Sequence, residues 1–322
     1  MTLHERWFLD ESRFPVQFET WSSASSVIPI AVAAGITVAA NVLWRARDRH
    51  SVVPGPIALG MPWENYVRLL TWVPLVIGVH MGVTLLVSGV SRQLFVPNLV
   101  LPVNLLGGVL GMIEIAIALS FIYGALARPA AAALAAIWLI GTIVFGPLRL
   151  IEHTEILGIA FFLFATGRGP LAFDMALHRL HKPLPALVPY AVPVLRVALG
   201  TGLVVVAFTE KIWNIPMGLA FLAEHNFNFF PYIGMNISDS QFLLIAGTVE
   251  LLVGLMLISG AYVRLVIIVT LIPFNLTLPF MGWRELVGHL PTYGILALLL
   301  LWGDERPGER GALVRALRGA EA

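Results

Sequence analysis

Residues 111–128, GMIEIAIALSFIYGALAR, and residues 247–264, GTVELLVGLMLISGAYVR, lie 136 residues apart and carry the same landmarks at the same positions. Glu114 falls on Glu250, Gly124 and Ala125 on Gly260 and Ala261, and Arg128 on Arg264. The register continues without a gap to Gly167 and Gly303, placing His153 on His289 and Gly158 on Gly294. Apolar helices align with one another easily. A coincident Glu, Arg and His does not arise so easily where only 12% of residues are charged. The repeat therefore sets the architecture, and the rest of the chain is read outward from it.

The composition identifies the solvent. Of 322 residues, 58% are hydrophobic, and the mean hydropathy is +0.86. The charged share is about half that of a soluble domain, too little to cover a water-facing surface. A net charge of +1 argues against a nucleic-acid partner, which needs a basic face. There is no cysteine, so disulfides, thiolate nucleophiles, iron–sulfur ligands and covalent haem attachment are excluded. No flavin or other cofactor motif is present.

A hydrocarbon core of about 30 Å takes roughly 20 helical residues. Apolar runs of that order fall near 27–44, 71–90, 105–124, 130–147, 148–167, 188–211, 241–260, 264–281 and 283–302. The fold class predicted is all-α: a polytopic membrane protein of about nine transmembrane helices, one N-terminal helix followed by two parallel four-helix repeats. The parts are a polar N-terminus, first helix and linker (1–70), a first repeat (71–187), a second repeat (188–303) and a tail (304–322). The fifth and ninth runs reach spanning length only by including Arg149, Glu152, His153 and Glu155, or Glu285 and His289. Met1–Ser26 lacks the basic start of a signal peptide, so the first helix is expected to be retained.

Arginines cluster at 45–49, at 168–179 with Lys182, and at 306–318. With nine spans these all face one side, taken as the cytoplasm, so the N-terminus is expected outside and the C-terminus inside. Gly107, Gly108, Gly111, Gly247 and Gly254 read as close-packing positions between helices. Arg128 and Arg264 read as inner-face anchors, and His80 as a satisfied bundle histidine.

The candidate site residues are the polar groups that lipid tolerates least. A charged carboxylate at mid-bilayer costs about 2.5–3.5 kcal/mol even on permissive scales, so Glu114 and Glu250 must be paired, protonated or turned to a cavity. Helix rise puts Glu250 and His289 within about 6 Å in depth, with Lys211 at a similar level. Glu285 precedes His289 by four residues and shares its face. The sequence thus predicts a cluster of Lys211, Glu250, Glu285 and His289 in the outer half of the second repeat, with Glu250 and His289 in mutual approach. Arg92, Glu114, Arg149, Glu152 and His153 form the corresponding set in the first repeat. A His and a buried carboxylate both titrate near neutrality, which suits proton donation and acceptance. The alternative is that these groups pair with one another and only lock the bundle. Haem clamped by two of His80, His153, His225 and His289 is disfavoured, because they do not pair at matching depth on adjacent helices. The aromatic stretch Asn226–Tyr232 reads as an interfacial belt.

Residues 190–303 resemble the DoxX/DoxD-like membrane proteins. The resemblance runs through Leu195-Arg196, Phe208-Thr209-Glu210-Lys211, the stretch from Gly247 to Gly254, the turn Gly260-Ala261-Tyr262-Val263-Arg264, and His289-Leu290-Pro291. Residues 72–167 look like a more divergent copy that keeps Glu114, Arg128 and His153 but lacks a basic residue matching Arg196. The resemblance implies a four-helix membrane unit, in some relatives a subunit of a quinone-linked oxidoreductase. On that footing Glu250 and His289 are the expected proton-handling pair, and Lys211, Glu285, Glu114 and His153 the expected quinone-binding groups. Electrons would come from a protein partner in a membrane redox complex. The competing expectations are a non-catalytic anchor or assembly subunit and, third, a small-molecule transporter.

Overall fold

The structure, a computed structural model, describes residues 4–176 and 182–303. The tail assigned to 304–322 lies outside the described residues. Among those described there is no strand, and a single isolated bridge joins Gln93 to Val100. In chain order the helices are α1 (Ala24–Ala46), α2 (Trp63–Val90), α3 (Leu105–Tyr123), α4 (Ala127–Phe145), α5 (Pro147–Ile151), α6 (Thr154–Thr166), α7 (Val188–Val206), α8 (Ile215–His225), α9 (Asp239–Ser259) and α10 (Val263–Trp302). A π-turn, Ala207–Ile212, continues α7. The chain is an all-α polytopic membrane protein.

The count of spans differs from the sequence reading. Among the described residues seven helices, rather than nine, are long and apolar enough to cross a membrane: α1, α2, α3, α4, α7 with its π-turn, α9 and α10. The last two expected spans are both in α10, whose 40 residues leave helical geometry at Gly282 (φ 68°, ψ −153°). Glycine takes that backbone without a Cβ clash, so the chain breaks its helix with no polar loop between the halves. The fifth expected span is divided into α5 and α6 at Glu152 and His153. Its longer piece, 13 residues, falls short of the roughly 20 that a single spanning helix needs, but the Arg128–Phe164 bond brings its end back to the level of the start of α4, so α5 and α6 return across together.

The backbone repeats at the 136-residue spacing. Positive φ angles recur at Gly124 and Gly260 (69° and 79°), Leu126 and Tyr262 (56° and 52°), Gly146 and Gly282 (93° and 68°), and Gly167 and Gly303 (73° and 70°). Arg128 Nε donates to Phe164 O and Arg264 Nε to Leu300 O, both at 3.0 Å. The same bond thus ties the start of α4 to the end of α6 in the first copy, and the start of α10 to its own end, across the break at Gly282, in the second. The first helix of each copy follows a spacing of 118. A Cβ on Gly82 would meet Ala118 O and Ile122, and one on Gly200 would meet Gly254 O and Ile258. These close helix crossings leave no room for a larger residue.

The copies meet twice, α6 on α7 and α10 on α2. The two contacts are counterparts: Gly158 lies against Leu195 and Ala198, and Gly294 against Ile77 and His80. An aliphatic core fills the bundle around them. Helix α1 packs on α9, and its apolar outer side chains, among them Ile28, Val38 and Val42, are exposed as lipid-facing residues are.

Candidate functional site

The bundle's polar centre is organised by a segment expected outside it. The sequence reading treats Met1–Ser26 as a polar external tail, and the structure corrects this from its first described residue. His4, Glu5, Arg6 and Trp7 are all buried, with Glu5–Trp7 in a 3-10 turn. The reason is charge. Within the apolar segments acids outnumber bases, and this turn supplies partners for them. Arg6 Nη1 lies 3.0 Å from Glu152 and 3.5 Å from Glu11, and its Nη2 donates to Thr209 O at 3.3 Å. The Glu5 amide donates to the Glu210 carboxylate, and His4 Nδ1 lies 3.5 Å from the same group. The Glu5 carboxylate is 3.9 Å from Lys211 Nζ.

Around this turn the two copies converge. Lys211 Nζ lies 3.0 Å from Glu250, so the expected ion pair is present. The π-turn at Ala207–Ile212 carries Thr209, Glu210 and Lys211, all buried, and such turns place side chains off the regular helical faces. Glu285 lies 3.6 Å from His289 and accepts from Thr277 at 3.1 Å. His153 lies 3.4 Å from Glu155. The His4 ring stacks on Trp7 at 4.4 Å and stands 5.0 Å from His153 and 5.7 Å from His289. His289 is also flanked by Trp7 at 4.8 Å and Phe274 at 4.9 Å. A Cβ on Gly288 would collide with the Trp7 indole, so glycine there admits the ring.

Two expectations change accordingly. Glu250 and His289 do not bond directly: Glu250 belongs to the Lys211 side, His289 to the His4 side, and Glu5 and Glu210 lie between. The first-repeat set is also not one cluster. Glu152 and His153 join the centre, whereas Glu114 stays apart, accepting from Ser88 Oγ at 2.7 Å and the Phe95 amide at 2.8 Å. Arg92 is exposed, and Arg149 pairs with Glu11 at 2.9 Å. His80 bonds the carbonyl of Val76 in its own helix at 2.7 Å. Arg128 and Arg264 bind carbonyls at helix ends, where a cation complements the helix dipole. Arg196 does the same for Leu257 and Ile258, and in the first copy Arg168, reaching in from the following loop, caps Phe121 and Ile122.

Chemically, the centre holds acids, imidazoles and an ammonium group in contact, able to store and pass protons. In the docked turn, burial pushes the Glu5 carboxyl up to about 8 despite Lys211. Burial likewise lowers His4, although Glu210 opposes the shift. Buried polar atoms without a hydrogen-bond partner include His153 Nε2, His289 Nε2, Trp7 Nε1 and Glu285 Oε2. Such atoms are rare in a settled core. Among the described residues no three His, Asp or Glu side chains form a metal-holding group. His4, Glu5, Arg6, Trp7 and Glu210 were given no role from sequence. The available signal was the deficit of cations facing Glu152, Glu155, Glu210 and Glu250.

No family model, no curated protein and no solved structure matches this chain.

Proposed function

We propose that this protein is the membrane subunit of a quinone-linked redox complex, and that its buried centre moves protons for that reaction. The observation carrying the proposal is the convergence of Lys211, Glu250, Glu285, His289 and His153 on one buried turn, with ring nitrogens left unpartnered. Those donors fit a ring carbonyl: His289 Nε2 and Trp7 Nε1 would hold it, and Glu285, in contact with His289, would replace the proton. Quinone reduction consumes two electrons and two protons, and the electrons come from a partner redox enzyme. The resemblance to DoxX/DoxD-like proteins and the placing of the chain in a bacterial inner membrane, N-terminus outside, belong to this reading. Reporter fusions at Ser51 and Ala322 should read cytoplasm, and one at Asn228 the outside.

The test is the complex purified from native membranes, with its quinone content and rate of quinol formation measured. Glu250→Gln and His289→Gln should each lower the rate about tenfold or more while the purified protein melts within a few degrees of wild type. A second reading, a non-catalytic anchor for a partner enzyme, is favoured by the internal pairing of Lys211 with Glu250 and of Arg6 with Glu152. Full activity with both variants would leave only that reading.

A further inference from the structure

A cavity of about 260 Å³ lies between α2 and the second half of α10, and the proton-handling centre does not include it. The internal repeat gives it a counterpart. At the 136-residue spacing its α10 wall, Arg284, Val287 and Gly288, corresponds to Leu148, Ile151 and Glu152. At the 118-residue spacing Thr84 in its α2 wall corresponds to Gly202. The geometry agrees, for Thr84 donates to Val287 O at 2.7 Å and a Cβ on Gly202 would meet Glu152 O. At that counterpart the chain's own N-terminal segment is seated. Arg6 pairs with Glu152, and Glu11 and Phe14 face Pro147 and Leu148 across a shared cleft. No described segment covers Arg284 in this way: Arg284 and Ser91 are exposed, and Trp283 at the rim is 62% exposed.

Between the two positions the charge is inverted. Glu152, which takes Arg6, is replaced by Gly288, and apolar Leu148 is replaced by Arg284. No carboxylate lines the cavity. Glu114 behind it already accepts from Ser88 and Phe95. The wall offers Arg284, which makes no ion pair or hydrogen bond among the described residues, with the Ser91 hydroxyl and the Gln93 amide. A guanidinium with neutral donors and no acid selects an anionic acceptor, and phosphate oxygens match it best. Trp283 and the apolar walls Val87 and Pro97 place the cavity where a membrane lipid presents its headgroup. We propose that this cavity binds the phosphate headgroup of an anionic membrane lipid, with Arg284 as countercharge and Ser91 and Gln93 as donors. It stands whether or not the centre handles quinone.

The test uses the full-length protein in three settings: nanodiscs containing phosphatidylglycerol, nanodiscs of phosphatidylcholine alone, and detergent with added inorganic phosphate. Melting temperature and retained lipid, by native mass spectrometry, are read for wild type, Arg284→Gln, Ser91→Val and, as a control on the opposite side, Arg149→Gln. Phosphatidylglycerol should stay bound to wild type and raise its melting temperature. Arg284→Gln should weaken retention about tenfold or more, Ser91→Val less, and Arg149→Gln not at all. Protection by phosphatidylcholine equal to that by phosphatidylglycerol would overturn the proposal, as would retention unchanged in Arg284→Gln. Protection by inorganic phosphate equal to that by phosphatidylglycerol would overturn the lipid as the source.

Discussion

Glu114 and Glu250 occupy the same place in two copies of one helix, and they have opposite surroundings. Glu114 meets a hydroxyl and a backbone amide, Ser88 and Phe95, and no cation. Glu250 meets Lys211, and through it Glu5 of the N-terminal turn. One copy holds its carboxylate with neutral donors supplied locally. The other holds it in an ion network completed from 245 residues away in the chain. The difference shows that a repeat can conserve a buried acid while the helix preceding it decides whether that acid is a structural acceptor or part of a charged centre.

The comparison can be attacked first where it predicts most. Lys211→Met should destabilise the purified protein by about 3–5 kcal/mol, because it strands Glu250 and Glu5 in a buried site. Adding Glu250→Leu should recover part of that loss, and no recovery in the double variant would mean the pair is not the main interaction. Trp7→Ala should cost about 3–5 kcal/mol by emptying the space between His4, His289 and Gly288, if the turn is docked as described. A melting temperature unchanged by this variant would detach the turn from the site. Glu114→Gln should cost only about 1 kcal/mol, since an amide oxygen still accepts from Ser88 and Phe95, and it should leave quinol formation unchanged. An effect on turnover as large as that of Glu250→Gln would erase the contrast between the copies.

The smallest effect is the most selective for the docked turn. A carboxyl raised to about 8 by burial favours the folded state when protonated, so its contribution falls as pH rises from the ordinary carboxylate range through about 8. The lowered His4 acts oppositely, adding stability as pH rises through its ordinary range near 6.5. Above about pH 6.5 the His4 contribution no longer changes, whereas that of Glu5, which faces Lys211, Glu210 and Glu250, keeps falling to about 8, and Glu5→Gln removes that contribution alone. Stability of the wild type should decline across that window more than that of Glu5→Gln, as chemical unfolding at each pH would show. Parallel curves would place the Glu5 titration elsewhere.

Much of the frame was legible in the sequence because the relevant signals are local. Apolar runs mark the helices, and the coincidence of Glu114, Arg128 and His153 with Glu250, Arg264 and His289 marks the repeat. The Lys211–Glu250 pair followed from depth along neighbouring helices. The boundary between the runs 264–281 and 283–302 already fell at Gly282, where the helix breaks; what local signals could not show was the division of the run 148–167 at Glu152 and His153. Nor could they show that Arg168, from a loop, stands in for the missing counterpart of Arg196. The N-terminal turn reads as a solvated tail because charge there is ordinarily solvated; only Glu152 after α5, Glu210 on the π-turn and Glu250 on α9 make its burial favourable.

By itself the sequence determined the solvent, the helical class and the doubling of the unit, because each follows from composition or from residues compared at a constant spacing. Only the tertiary structure decided which acid meets which base, that both histidines of the repeat face one imported turn, and that Glu114 stands outside that centre. Those outcomes depend on which helix ends meet across the bundle. Electrostatic pairing in an apolar interior is settled over a few ångströms between residues hundreds of positions apart.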